Sequence, residues 1–227
     1  MTFGVETLEA SASEIHLRHR QAPARRQVWI CTPSRDALIL GSTQRLSEHH
    51  ESFAARHGFE LARRSSGGTG VVVVRGGAVW VDIGLPPGDP LLLEDVSRSF
   101  APVSHAWSEA LALVGLRGVR PYSGRMYKGD GLAEVCFAGR ASGELMLGER
   151  KLVGMSQRRS GHGAWFHTMA YLRFPAALTA EALLPELPGA SESLALSVAD
   201  LYSAGADVGA GIAQQLTEAI AAQLSTL

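Results

Sequence analysis

The spacing of apolar and polar residues changes along the chain, and each change predicts an element. Residues 26–40 contain two β-prone segments, RQVWICTP and DALILG, broken by Thr32-Pro33-Ser34, with Gly41 ending the second. Residues 47–58, SEHHESFAARHG, predict a short helix with Ser47 as N-cap, Glu48 in the first turn and Gly58 as the stop. The following stretch, FELARRSSGGTGVVVVRGGAVWVDIGLPPGD, reads as strand, Ser/Gly loop, strand, turn at Gly76-Gly77, strand and a Pro/Gly stop. The run Val71–Val74 and the segment AVWVDIGL are expected to pair as a hairpin through Arg75-Gly76-Gly77.

Residues 94–114 carry the clearest helical pattern, with Phe100, Val103, Trp107, Leu111 and Val114 forming one apolar stripe. Residues 119–140 are irregular and glycine-rich. Residues 143–153 predict two short strands about Gly148, and residues 164–174 predict another strand stopped at Pro175. Two helices are expected at 191–203 and 211–225 around a Gly/Ala break. There is no internal repeat or low-complexity tract. Strands flanked by a few helices, without regular βαβ alternation, predict a mixed α+β fold, a mixed β-sheet flanked by helices, as a single domain over residues 1–227.

Composition narrows the function classes. The 227 residues are 46% apolar, ample for a sizeable core, and the formal net charge is -1. A near-neutral chain has no global electrostatic basis for gripping nucleic acid or an anionic membrane. No apolar run approaches the ~20 residues of a membrane helix, and the N-terminus has no apolar signal region. Two cysteines make no disulfide framework, so a cytoplasmic setting is expected. Of 21 basic residues only Lys128 and Lys151 are lysines. Where arginine supplies nearly all positive charge, a lysine points to a use for a compact, flexible ammonium.

Four segments could carry chemistry. In Arg63-Arg64-Ser65-Ser66-Gly67-Gly68-Thr69-Gly70, three glycines let the backbone approach a ligand, successive N–H groups can cradle an anion, and the arginines add a planar donor fork. An ordinary tight connection between strands would use the same glycines. Lys151, beside a predicted turn and three residues before Gly154, could project a point charge at a carbonyl or phosphate oxygen, or be an exposed strand lysine. Cys136, in the glycine-rich stretch, could be a nucleophile if a cation lowers its pKa, or a small buried apolar residue, as is expected of Cys31. His167, in the apolar segment WFHTMAYL, is either a structural histidine or a site residue. His49, His50, His57, His105 and His162 show no metal-ligand spacing, neither cysteine falls in a zinc pattern, and no metal site is expected.

Taken together the motifs resemble the lipoate–protein ligase and octanoyltransferase family of the biotin/lipoate attachment superfamily. The family's Arg-Arg-x-Ser/Thr-Gly-Gly-Gly loop before a strand is matched by RRSSGGTGVVV at 63–73, and its Lys-x-x-Gly-Ser-Ala by KLVGMSQ at 151–157. Its Ile/Leu-Gly-x-x-Gln segment is matched by Leu40-Gly41-Ser42-Thr43-Gln44, so the resemblance spans about residues 26–172. It implies that Gly67, Gly68, Gly70 and Val71 shape a pocket for an acyl chain, with Arg64, Ser66 and Thr69 at its mouth. It implies that Lys151 meets the acyl carbonyl or an adenylate phosphate, with Gly154 and Ser156 beside it, and that His167 follows as a site residue. The pocket is expected to be elongated and apolar, with Gly67 and Gly68 at its mouth and Val71 and Val153 in its wall.

The departures shape the expected chemistry. Gly-Met-Ser stands for Gly-Ser-Ala, the His-Asp after the glycine loop is absent, and Val135-Cys136-Phe137 stands where ATP-using ligases carry Arg-Asn-Asp. The Cys-Phe pair resembles cysteine-dependent octanoyltransferases and amidotransferases, and no separate C-terminal accessory domain is expected. The first reading is therefore an acyltransferase that takes a lipoyl or octanoyl group from a carrier thioester onto Cys136 and passes it to a lysine of a lipoyl domain. The second is an ATP-dependent lipoate–protein ligase working through lipoyl-adenylate, with ATP and Mg²⁺. The third is a non-catalytic lipoyl-binding partner subunit on the same fold, and a biotin ligase is a fourth. Implied partners are lipoyl-domain acceptors and an acyl carrier protein, with lipoate or octanoate as substrate and no tightly bound cofactor.

Overall fold

The computed structural model describes residues 2–227. Among these residues ten strands form two sheets. The larger runs β1 (Gly4–Ala10), β2 (Gln27–Pro33), β6 (Ala78–Leu85), β10 (Gly163–Tyr171), β9 (Arg150–Ser160), β8 (Leu145–Leu147) and β7 (Arg120–Pro121) in spatial order. β1 and β2 are parallel and the other neighbours antiparallel. The smaller sheet has β3 (Ala37–Leu40) at its centre, parallel to β4 (Glu60–Arg63) and antiparallel to β5 (Val71–Val73).

Period-two alternation gives the central strands two different faces. On β6, Val79, Val81 and Ile83 join a core with α3 (Ala101–Leu113) and α6 (Ile212–Thr226). Trp107 of the α3 stripe is fully buried, and its indole N–H donates to Thr168 Oγ1 of β10 at 2.8 Å, fixing the helix on the sheet. The opposite face presents Trp80, Asp82, His167, Met169 and Tyr171 to the second sheet, where Ile39, Val71 and Val73 pack. α1 (Ala12–Arg18) closes this side, with Ile15 and His16 buried.

The short helix at 47–58 forms as its caps require. α2 (Glu48–His57) starts at Ser47, whose hydroxyl accepts from the His50 N–H, and stops at Gly58 with φ of 70°. Three expectations are corrected. Val71–Val73 and AVWVDIGL do not pair with each other. The turn between them exists, with the Gly77 N–H on the Val74 carbonyl, but it hands the chain from one sheet to the other. The helix expected from 94 begins at Ala101, after a single 3-10 turn at Arg98–Phe100. At the C-terminal end the helices are α5 (Ala190–Ser197) and α6, preceded by α4 (Ala176–Leu183), which the pattern does not announce.

Candidate active site

The two sheets leave between them a cavity that is partly open to solvent. Its apolar wall comes from Ile39, Val71, Val73, Trp80, Phe137 and Met169, and its polar edge from Arg64, Ser66, Cys136, Ser156 and His167. Gly154 and Met155 line it too. Residues as far apart in the chain as Ile39 and Met169 thus meet in one place. The Ser66 and Ser156 hydroxyls are 2.9 Å apart, joining the glycine-loop motif to the lysine motif.

Gly67, Gly68, Thr69 and Gly70 do not line this cavity. Gly68 has φ of 104°, and a Cβ there would fall 2.2 Å from Arg64 Nη2, so only glycine lets the guanidinium lie against the loop. Arg64 also donates to the Thr69 carbonyl. Gly70 exchanges backbone hydrogen bonds with the other loop: its N–H donates to Glu134 O, and its carbonyl accepts from the Cys136 N–H, each at 2.9 Å. Gln44 closes the same junction from the third motif, accepting from the Gly41 N–H at 2.7 Å and donating to Glu134 O at 3.1 Å. Gly154 lies under Phe137, whose Cζ would be 2.8 Å from an added Cβ. That close approach seats the 3-10 turn Cys136–Ala138 on β9.

Lys151 is the second residue of β9 but does not line the cavity, nor does Val153. The lysine is buried, its ammonium 2.7 Å from a Glu144 carboxylate oxygen and donating to the Cys136 carbonyl at 2.8 Å. Glu144 also accepts from the Ala141 and Met155 N–H groups. Cys136 is half-buried in the cavity wall. Burial would push its thiol up, and Glu144 acts in the same sense, but Arg64 first and Lys151 second pull it below the ordinary thiol value. Cys31 is the contrast: burial and the Asp82 carboxylate push its thiol well up.

Beside the cavity, with His16 and His167 in its wall, stands a polar cluster. Asp82 and His167 face each other in register across β6 and β10, with His167 Nδ1 3.2 Å from Asp82 Oδ1. His19 Nε2 lies 2.7 Å from the other carboxylate oxygen, and the Trp80 indole N–H donates to Asp82 at 2.8 Å. Burial would raise the Asp82 carboxyl, but His19 and His167 hold it low. His16 completes the group, and burial keeps both His16 and His167 below the ordinary histidine value. Sequence reasoning missed Glu144, Asp82, His16 and His19. The His16-x-x-His19 spacing at the end of α1 and a lone aspartate in an apolar strand were the available signals.

The lipoyl protein ligase A/B catalytic domain family matches residues 9–186. The chain belongs to this family. It is an enzyme of the lipoate–protein ligase type. Its fold is similar to that of a Thermoplasma acidophilum bipartite lipoate protein ligase studied with its E2 lipoyl domain, at 17% identity and a TM-score of 0.76, covering 99% of this chain and 84% of the other. It is also similar to a lipoate-protein ligase A bound with ATP (18% identity, TM-score 0.74, 99% and 86% covered). A T. acidophilum protein with bound lipoic acid gives 19% identity and a TM-score of 0.73, with 99% and 86% covered. No curated protein matches the chain in sequence. Among the described residues, no helix is long and apolar enough to cross a membrane.

Proposed function

We propose that this family member attaches a lipoyl or octanoyl group to a lysine of lipoyl-domain proteins, using Cys136 as the acyl-carrying nucleophile. The observation that carries the reading is Cys136 itself: a thiol in the cavity wall, lowered by Arg64 and Lys151. The thiolate attacks the carbonyl carbon of a carrier thioester, the acyl–sulfur bond forms, and the carrier leaves as its thiolate. A neutral acceptor lysine amine then attacks the Cys136 thioester. The amide forms, the Cys136 thiolate departs, and the amine loses its proton to solvent or base. The apolar wall suits the acyl chain, while Ser66, Ser156 and Arg64 suit the polar end. Lys151 acts from behind the wall, through its charge and its hold on the Cys136 carbonyl.

The second reading is an ATP-dependent ligase, favoured by the relatives described with ATP and with lipoic acid. The fold similarity to a ligase studied with its lipoyl domain supports a lipoyl-domain acceptor in either case. A purified lipoyl domain incubated with the enzyme and octanoyl-carrier thioester, or with lipoate, ATP and Mg²⁺, separates them by intact mass. Product from thioester alone, with Cys136→Ser inactive and an acyl mass on wild-type Cys136, is the expected result. Product only with ATP, unchanged in Cys136→Ser, selects the ligase.

A further inference from the structure

The polar cluster beside the cavity holds groups that the proposed acyl steps do not use. His16, His19 and His167 each offer one ring nitrogen such that the three atoms lie within 4.8 Å of one another. The His19 and His167 rings are 4.2 Å apart between centroids, and His16 stands 5.5 Å from His167 and 5.9 Å from His19. His167 Nδ1 is hydrogen-bonded to the Asp82 carboxylate, and His19 Nε2 stands 2.7 Å from its other oxygen. His167 Nε2, His16 Nδ1 and both ring nitrogens of His19 are buried without a hydrogen-bond partner. Each of three neighbouring rings thus has a buried nitrogen free of hydrogen bonds.

We propose that His16, His19 and His167 form a binding site for a first-row divalent cation, Zn²⁺ in the first instance, with Asp82 as the carboxylate that orients two of the three ligands. Imidazoles suit Zn²⁺, and ligand nitrogens of a tetrahedral zinc lie about 3.3 Å apart for the usual ~2.0–2.1 Å bonds. Small rotations of the rings bring three atoms within 4.8 Å of one another to that spacing. A metal-bound histidine typically gives its other ring N–H to a carboxylate, which sets the tautomer; Asp82 stands in that place for His167 through a hydrogen bond and lies 2.7 Å from His19 Nε2. The Asp82 carboxylate, fully buried beside two of the rings, offsets part of the cation's charge. Three protein ligands leave a fourth position, and it faces the cavity, since His16 and His167 both line it.

The site sits on rigid elements: His167 in the centre of β10, Asp82 beside it on β6, His16 in the last turn of α1 and His19 at its C-cap. Binding of the cation does not depend on which acyl chemistry the enzyme performs, so its test is separate from that of the proposed function. The chain, purified without a polyhistidine tag and stripped with chelator, is given Zn²⁺ in competition with a chromophoric chelator, and bound metal is counted by mass spectrometry. One Zn²⁺ per chain is expected in the wild type. His16→Gln and His19→Gln should weaken binding at least tenfold, Asp82→Asn about 10–100-fold as for outer-shell partners, and His105→Gln, an exposed control, not at all. Circular dichroism checks that each variant is folded. Co²⁺ in the wild type should give the intense visible bands of a tetrahedral site, a reading that needs no variant. Absence of those bands, or Zn²⁺ retained equally by wild type and a folded His16→Gln protein, overturns the proposal.

Discussion

Lys151 and Glu144 form a buried ion pair, 2.7 Å between ammonium nitrogen and carboxylate oxygen, with side chains 2% and 3% exposed. The pair ties the start of β9 to the loop before β8, and the same ammonium holds the Cys136 carbonyl. A charge so placed shapes the surroundings of the thiol without touching the contents of the cavity.

Glu144→Gln therefore leaves a buried ammonium without its counter-charge, and the chain should lose about 3–5 kcal/mol of unfolding free energy in urea. A Lys151→Met, Glu144→Gln double variant should recover part of that stability, because it removes the unpaired ammonium and keeps an acceptor towards the Ala141 and Met155 N–H groups. Equal loss in the single and double variants would show that the ion pair is not what the region depends on.

The Cys136 thiol is lowered chiefly by Arg64, so its alkylation rate should reach half of its plateau at a pH below that of an ordinary cysteine. In Arg64→Met the midpoint should move up, since removing a positive charge disfavours the thiolate. Gly68→Ala should move it in the same direction by displacing the guanidinium. Cys31 should remain unreactive throughout. An unchanged midpoint in Arg64→Met would assign the lowering to Lys151 instead.

Gly154→Val places side-chain atoms where the Phe137 ring lies, 2.8 Å from the Cβ position. Overpacking of this kind typically costs about 1–3 kcal/mol. Because Phe137 adjoins Cys136 in one 3-10 turn, acyl transfer should fall far more than the melting temperature suggests. Normal turnover in this variant would mean that the turn can move without consequence for the chemistry.

The N-cap of α2 offers a stability control remote from the site. Ser47→Ala removes the acceptor for the His50 N–H and should cost about 1 kcal/mol in chemical denaturation. Transfer activity under native conditions should stay as in the wild type.

Much of the scaffold was legible in the chain because it rests on local rules. The α2 caps at Ser47 and Gly58 and the α3 stripe through Trp107 follow from backbone chemistry and a 3.6-residue period. The strands either side of Gly148 follow from β-prone segments about a turn glycine. The glycine loop, Gln44, Cys136 and Lys151 were recognisable as motifs, and the structure joins them through Gly70, Glu134 and the Ser66–Ser156 contact.

What the sequence could not express was partnership. Alternation on β6 tells that Asp82 shares a face with Trp80, but not that His167 lies opposite it across 85 positions of chain. Periodicity likewise permits Val71–Val73 to pair with β6; pairing with β3 instead is what gives the cavity its second wall. The Lys151–Glu144 pair and the three-histidine cluster arise in the same way. A side chain's period reports its own exposure, whereas a buried charge or imidazole is defined by the groups that replace its water, and those are chosen only when distant segments close on one another.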